Sequence, residues 1–218
     1  MIGPILLRGD IPALNARLQA DPTLADQAVA QGDHPTHRVH PIHLVCDGVF
    51  EKKISEKTAL EMVRLLAEAG SDLNDQNSGS TTADTPLITA ASLYCDDIAL
   101  YLIDRGVDVS FRGTHRGTAL HWAAWTGSAK VVKRLLAEEV AIDDQGDEFR
   151  STPLLWAING WLHANPANRR EQPAVMELLL KAGANPNVID GSGRKALGIL
   201  DGKEQSGLVA LLRKFGAE

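Results

Sequence analysis

Apolar residues along this chain do not alternate with polar ones. They recur in short blocks at helical spacing, separated by polar stretches rich in glycine and proline. Five blocks share one pattern: "HPIHLVC" from residue 40, "TPLITAA" from 85, "TALHWAA" from 118, "TPLLWAI" from 152 and "KALGIL" from 195. Counted from their second residues, the blocks lie 45, 33, 34 and 43 residues apart. A period near 33 is therefore interrupted twice by extra residues, which points to a repeat architecture of stacked units.

A second helical block follows each of the first four: "EMVRLLAEAGSDLN", "DIALYLIDRGVDVS", "AKVVKRLLAEEVAID" and "AVMELLLKAGANPN". Met62, Leu65 and Leu66, and likewise Val175, Leu178 and Leu179, predict one buried face per helix. Gly70, Gly106 and Gly183 fall just past the last turn, where a left-handed cap disfavours any Cβ. By count the third block has Glu139 at that place, which predicts a helix end strained by about 1 kcal/mol. Thr85-Pro86 and Thr152-Pro153 read as helix starts, threonine accepting from an orphan N–H and proline taking the first helical position. Such a helix pair cannot bury its own apolar face, so neighbours must stack.

In these features the chain resembles the ankyrin repeat family. The unit is near 33 residues, the T-P-L-H-x-A signature is approximated by "TALHWAA" and "TPLITAA", and "LLKAGANPN" is close to the family's second-helix ending. The resemblance covers nearly the whole chain and implies an all-α solenoid of stacked helix-turn-helix units with extended turns, one domain over residues 1–218. It implies a partial cap over 1–33 and repeats over roughly 34–79, 80–112, 113–146, 147–189 and 190–218. Residues 9–26 resemble a second helix whose opening partner is reduced to 1–8, and "GLVALLRKFGAE" resembles a closing helix. That reduced opening helix leaves room for further sequence upstream, and with it an architectural role in a larger or self-associating protein. Only His43 and His121 keep the signature histidine, which is Ile88, Leu155 and Gly198 elsewhere. The extra residues, 47–60 and 159–173, are expected between paired helices, as functional insertions or as neutral length variation.

Composition then removes several functions. The formal net charge is −6 and no block of lysine or arginine stands out, which argues against nucleic acid or a membrane surface as partner. Two cysteines are too few for a disulfide framework and fit a reducing compartment. The opening apolar run is broken by Arg8 and Asp10, too early for a signal peptide or a membrane span. The expectation is a soluble, cytoplasmic protein, a monomer in the simplest case.

Candidate chemistry is thin. His34, His37, His40 and His43 recur every third residue before Cys46, a conceivable metal or catalytic set. Pro35 and Pro41 prevent one continuous helix, so that spacing does not bring the imidazoles to one face. The resemblance instead gives His40 the signature threonine's place and His43 the signature histidine's place, both structural. Cys46 and Cys95 have no base beside them in the sequence and read as buried thiols. Asp96-Asp97 and Asp143-Asp144 fall at a helix start and a turn, where acids favour the dipole or face water. No phosphate loop, nucleophile elbow or zincin motif occurs, so neither catalysis nor a cofactor is expected.

What remains is binding to a partner protein. The resemblance implies a concave face made from the turn tips and the exposed side of each first helix. Matched by position, it includes Thr36, His37 and Val39; Thr81, Thr82 and Asp84; Thr114, His115 and Gly117; Glu148, Phe149 and Ser151; and Ser192 and Arg194. First-helix positions add Asp47, Ser92, Leu93, Trp125, Thr126 and Asn159. Trp125, Phe149 and Leu93 are the expected anchors, being large apolar groups that the core does not require. Trp122 and Trp156 are expected to pack between first helices, and Trp161 to anchor the second insertion or to serve a partner.

Overall fold

The structure, a computed structural model, describes residues 1–30, 37–76, 83–163, 170–200 and 205–218. The chain divides into two compact units, Met1–Asp108 and Val109–Glu218.

The first unit stacks three described helix pairs: α1 (Gly3–Arg8) with α2 (Ile11–Ala20), α3 (Pro41–Phe50) with α4 (Glu56–Glu68), and α5 (Pro86–Ser92) with α6 (Asp96–Asp104). First helices pack on first helices, α1 on α3 and α3 on α5, while α2 packs on α4 and α4 on α6. Local sequence explains the starts. Asp10, His40, Ser55 and Thr85 each accept a backbone N–H from the first turn, and prolines follow His40 and Thr85. Gly70 and Gly106 end α4 and α6 at φ of 98° and 74°. The signature histidine ties neighbours: His43 Nδ1 lies 2.7 Å from Thr89 Oγ1 on α5. A two-residue antiparallel ladder, β1 (Val29–Ala30) with β2 (Arg38–Val39), precedes α3, where the sequence suggested only a turn.

The second unit repeats the plan with α7 (Ala119–Thr126) and α8 (Ala129–Leu135), α9 (Pro153–His163) and α10 (Gln172–Lys181), and α11 (Ala196–Ile199) and α12 (Ser206–Lys214). α7 packs on α9 and α9 on α11, with α8 on α10 and α10 on α12 behind them. Thr118 and His121 form a reciprocal capping box at the start of α7. With its Nδ1 accepting the Thr118 N–H, His121 carries its proton on Nε2, which donates to the carbonyls of Asp144 and Ser151 at 3.1 and 3.2 Å. One imidazole thus holds its own helix and the next turn together.

A second tie recurs that no local pattern announces. A turn Asp or Asn accepts the backbone N–H of the following turn: Asp26 from Asp72, Asn74 from Asp108, Asp143 from Asn185, and Asn187 from Glu218. Each bond satisfies an otherwise orphaned donor in an extended segment.

Three expectations change. The buried faces of α4 and α10 centre on Met62–Val63 and Val175–Met176, leaving Leu65 and Leu178 partly exposed. Stacked neighbours on two sides widen the apolar stripe toward Val63 and Met176. Glu139 is not left-handed: α8 stops at Leu135 and the chain leaves through a turn, with Arg134 paired to Glu138. The expected strain is avoided by shortening the helix. The insertions serve largely to lengthen helices. Residues 47–50 continue α3 and 56–60 open α4, while 159–163 continue α9, with 164–169 outside the described residues.

Candidate functional site

The turn tips of the second unit lie side by side and are laced by their backbones. The Glu148 N–H donates to the His115 carbonyl at 3.0 Å, and the Gly191 N–H to the Phe149 carbonyl at 2.8 Å. The carbonyl of Phe149 comes so close that a Cβ on Gly191 would stand 2.7 Å from it, which is why glycine sits there. Beneath them, Asp147 bends its own loop by accepting the Ser151 N–H at 2.6 Å. Asp190 does likewise for Ser192 and Arg194, and its other oxygen takes the Arg194 guanidinium. His115, Arg116 and Arg150 adopt positive φ at these tips, three of the five described non-glycine residues that do so. Such strain collects where a loop must aim a side chain.

What these loops and the first helices enclose is an aromatic bowl of about 540 Å³, lined by His115, Trp122, Trp125, Glu148, Phe149, Ser151, Trp156, Asn159, His163, Asp190, Gly191, Ser192 and Arg194. Trp156 is its hub. It is 5% exposed, and Trp122, Trp125 and Phe149 surround it at centroid distances of 5.1, 6.1 and 6.1 Å. The two tryptophan contacts are edge-to-face, at 80° and 75°, the favoured geometry for aromatic pairs. The indole N–H of Trp156 donates to Asp147 Oδ2 at 2.6 Å. Trp122 and Trp125 are partly exposed, and Phe149 is 51% exposed. On the rim His115 Nδ1 meets Glu148 Oε2 at 3.1 Å, its ring 5.3 Å from that of Phe149.

Trp125 is placed by close backbone packing. Its carbonyl, at the end of α7, accepts from the buried Gln172 amide at 3.2 Å. α9 comes so near that a Cβ on Gly160 would lie 2.2 Å from the same oxygen. Any other residue at 160 would push α7 and α9 apart.

Of the candidate residues, Trp125, Phe149, His115, Glu148, Ser151, Asn159, Ser192 and Arg194 line this bowl. Thr126 does not, being buried and bonded back to the Trp122 and Ala123 carbonyls. Ser151 is almost wholly buried against Asp147. In the first unit Val39 is buried, His37 is exposed beside β2, and Asp84 precedes the Thr85 cap. Ser92 and Leu93 end α5 half-buried, the Ser92 hydroxyl donating to the Thr89 carbonyl. His34, Thr36, Thr81 and Thr82 lie outside the described residues. Trp122 and Trp156 do pack between first helices, yet both also face the bowl, as do His163 and Asp190, which sequence reasoning missed. Three tryptophans within residues 122–156 were the available signal.

The histidine-rich stretch has a different use. His40 Nε2 lies 3.0 Å from Asp26 Oδ1 and 3.1 Å from Ser71 Oγ, while its Nδ1 accepts the Ile42 N–H. This resembles an acid–base triad in composition but not in wiring. A relay needs acid and hydroxyl on opposite ring nitrogens, and here both share Nε2. Burial would raise the Asp26 carboxyl, but hydrogen bonds from His40, the Asp72 N–H and Ser71 outweigh it and hold that carboxyl below its usual range. Burial pushes His43 down to about 3, so it stays neutral. Cys46 and Cys95 are buried free thiols, and the proximity of Cys95 together with burial raises Cys46 well above the ordinary thiol range, the opposite of an activated nucleophile. Among the described residues no three His, Cys, Asp or Glu side chains converge as a metal set.

Comparison with known proteins agrees with this architecture. The family described as ankyrin repeats (3 copies) matches residues 53–145 and again 111–190. An ankyrin repeat domain from Acinetobacter baumannii AYE superposes with a TM-score of 0.69 at 25% identity, over 94% of this chain and 96% of that one. Among curated proteins, the palmitoyltransferase ZDHHC13 of Mus musculus is 35% identical over 92 residues, and the palmitoyltransferase ZDHHC17 of Homo sapiens 33% identical over 92. Each match takes in 42% of this chain but 13% of the relative, so the transferase activity in those names does not pass to this chain with the match.

Proposed function

Because the chain belongs to the ankyrin repeat family, whose repeats serve as protein-interaction modules, we propose that it is a non-enzymatic binder of a partner protein, anchored in the aromatic bowl of the second unit. The supporting observation is a set of aromatic rings left partly open to solvent, Trp122, Trp125 and Phe149, around a buried tryptophan and within a rim of charged and polar groups. Large aromatics with a polar rim carry most of the energy in protein interfaces. In the first unit Asp84, Ser92, Leu93 and His37 are proposed as further partner contacts on the concave face that the family resemblance implies, and the proposed location of the protein is the cytoplasm. No helix among the described residues is long and apolar enough to cross a membrane.

The experiment is affinity capture from native lysate with the Trp125→Ala/Phe149→Ala double variant as control. Both side chains lie at the edge of the packed core, so helical circular dichroism and cooperative unfolding are expected to persist while capture is lost. Capture undiminished in a folded double variant overturns the reading.

A further inference from the structure

The bowl has a charge as well as a shape. Its lining carries two carboxylates, Glu148 and Asp190, against one arginine, Arg194, whose guanidinium Asp190 already engages at 3.0 Å. A third carboxylate, Asp147, stands directly behind the hub and accepts the Trp156 indole N–H. An indole that donates to a carboxylate is polarised, and its π face becomes more negative. Trp156 is only 5% exposed, so this negative charge acts from behind the open faces of Trp122, Trp125 and Phe149, on a chain whose formal net charge is −6. This environment repels anions and attracts a cation that gives up its water readily.

We propose that the bowl receives the guanidinium of an arginine presented by the partner protein, an inference that rests on reading the bowl as the anchor for that partner. Guanidinium is planar and weakly hydrated, and it stacks on aromatic faces, whereas an ammonium holds its hydration shell. The open faces belong to Trp122, Trp125 and Phe149, and the Glu148 carboxylate stands beside them with one oxygen held by His115. That gives the guanidinium a stacking surface and a charge-assisted hydrogen bond in one place. The aliphatic stem of an arginine covers the apolar wall at the same time. A volume of about 540 Å³ exceeds one arginine side chain, so residues flanking it in the partner also enter.

The test is a titration of the full chain followed through the indole N–H resonances of its tryptophans, at constant ionic strength. The probes are N-acetyl-arginine methylamide, its neutral near-isostere N-acetyl-citrulline methylamide, and tetramethylammonium chloride. The arginine probe is expected to give saturable shifts of Trp122, Trp125 and Trp156, with the citrulline probe roughly tenfold weaker. Glu148→Gln is expected to weaken the arginine probe severalfold with little change in the resonances of the free protein. Non-saturable arginine shifts, citrulline binding equal to arginine, or tighter binding of tetramethylammonium each overturn the proposal. If capture depends on Trp125 and Phe149 while arginine fails to saturate, this inference falls and the partner-binding reading stands. If capture does not depend on them, the reading falls first.

Discussion

His43 and His121 are buried at 3% and 0% exposure; His121 spends both ring nitrogens on neighbours, while His43 bonds Thr89 through Nδ1 and keeps its Nε2 buried without a hydrogen-bond partner among the described residues. Burial lowers both pKa values, His43 to about 3, and at His121 it outweighs the opposing pull of Asp144 and Asp147. An unfolded histidine takes its proton near 6.5, so below that pH the unfolded chain binds protons that the folded chain refuses. Stability is therefore full above about pH 6.5 and falls with acidification, by up to about 1.4 kcal/mol per pH unit for each such histidine. Asp26 and Asp144 have lowered pKa values, and their contribution is lost only below the ordinary carboxylate range, near 4. Between pH 6.5 and 4.5 the histidines should dominate the slope. Urea unfolding is expected to show midpoints level from pH 8 to 7 and falling below 6.5. His43→Asn should be less stable at pH 7 yet flatter in pH, and an unaltered slope would contradict the assignment.

At the scale of elements, the α7–α9 contact shows how sequence becomes site. Gly160 allows α9 to touch the Trp125 carbonyl, and that contact holds Trp125 at the bowl. Gly160→Ala places a methyl where no side-chain rearrangement can make room, because the obstacle is backbone. A loss of about 1–3 kcal/mol is expected, together with weaker capture of the partner. Gly198 in α11 offers the contrast: it is exposed, free of left-handed strain, and a Cβ there meets nothing within 4 Å. Gly198→Ala should raise stability by about 0.5–1 kcal/mol through helix propensity. Thermal unfolding of the two variants checks both signs, and equal shifts would sink the account. Residues 160 and 198 look alike as sequence, since each is a glycine inside an apolar block.

For the molecule as a whole, the repeat plan is legible in the sequence because it rests on local rules: threonine and proline at helix starts, glycine at Gly70, Gly106 and Gly183, and helical spacing between them. The bowl is only half legible. Trp125 and Phe149 follow from position in the repeat, but Trp156 meets Asp147 and Trp122 across 9 and 34 residues, contacts that no local pattern encodes, and Asp190 reaches the bowl through the folding of its own loop. The same nearest-neighbour logic sets how stability is distributed. In the second unit α10 packs on α7, α8, α9 and α12, and α9 buries seven residues. At the end of the stack α11 is four residues long with two buried, and α12 buries Leu208 and Leu212. Leu179 on α10 and Leu212 on α12 are both fully buried, so their truncation to alanine removes the same atoms in different settings. Leu179→Ala should cost about 2–5 kcal/mol and speed amide hydrogen exchange from α7 through α12. Leu212→Ala should cost less and speed exchange in α11 and α12 alone, because the end pair opens without its neighbours. Exchange accelerated equally across the unit by both variants would mean that the unit opens as one block, not pair by pair.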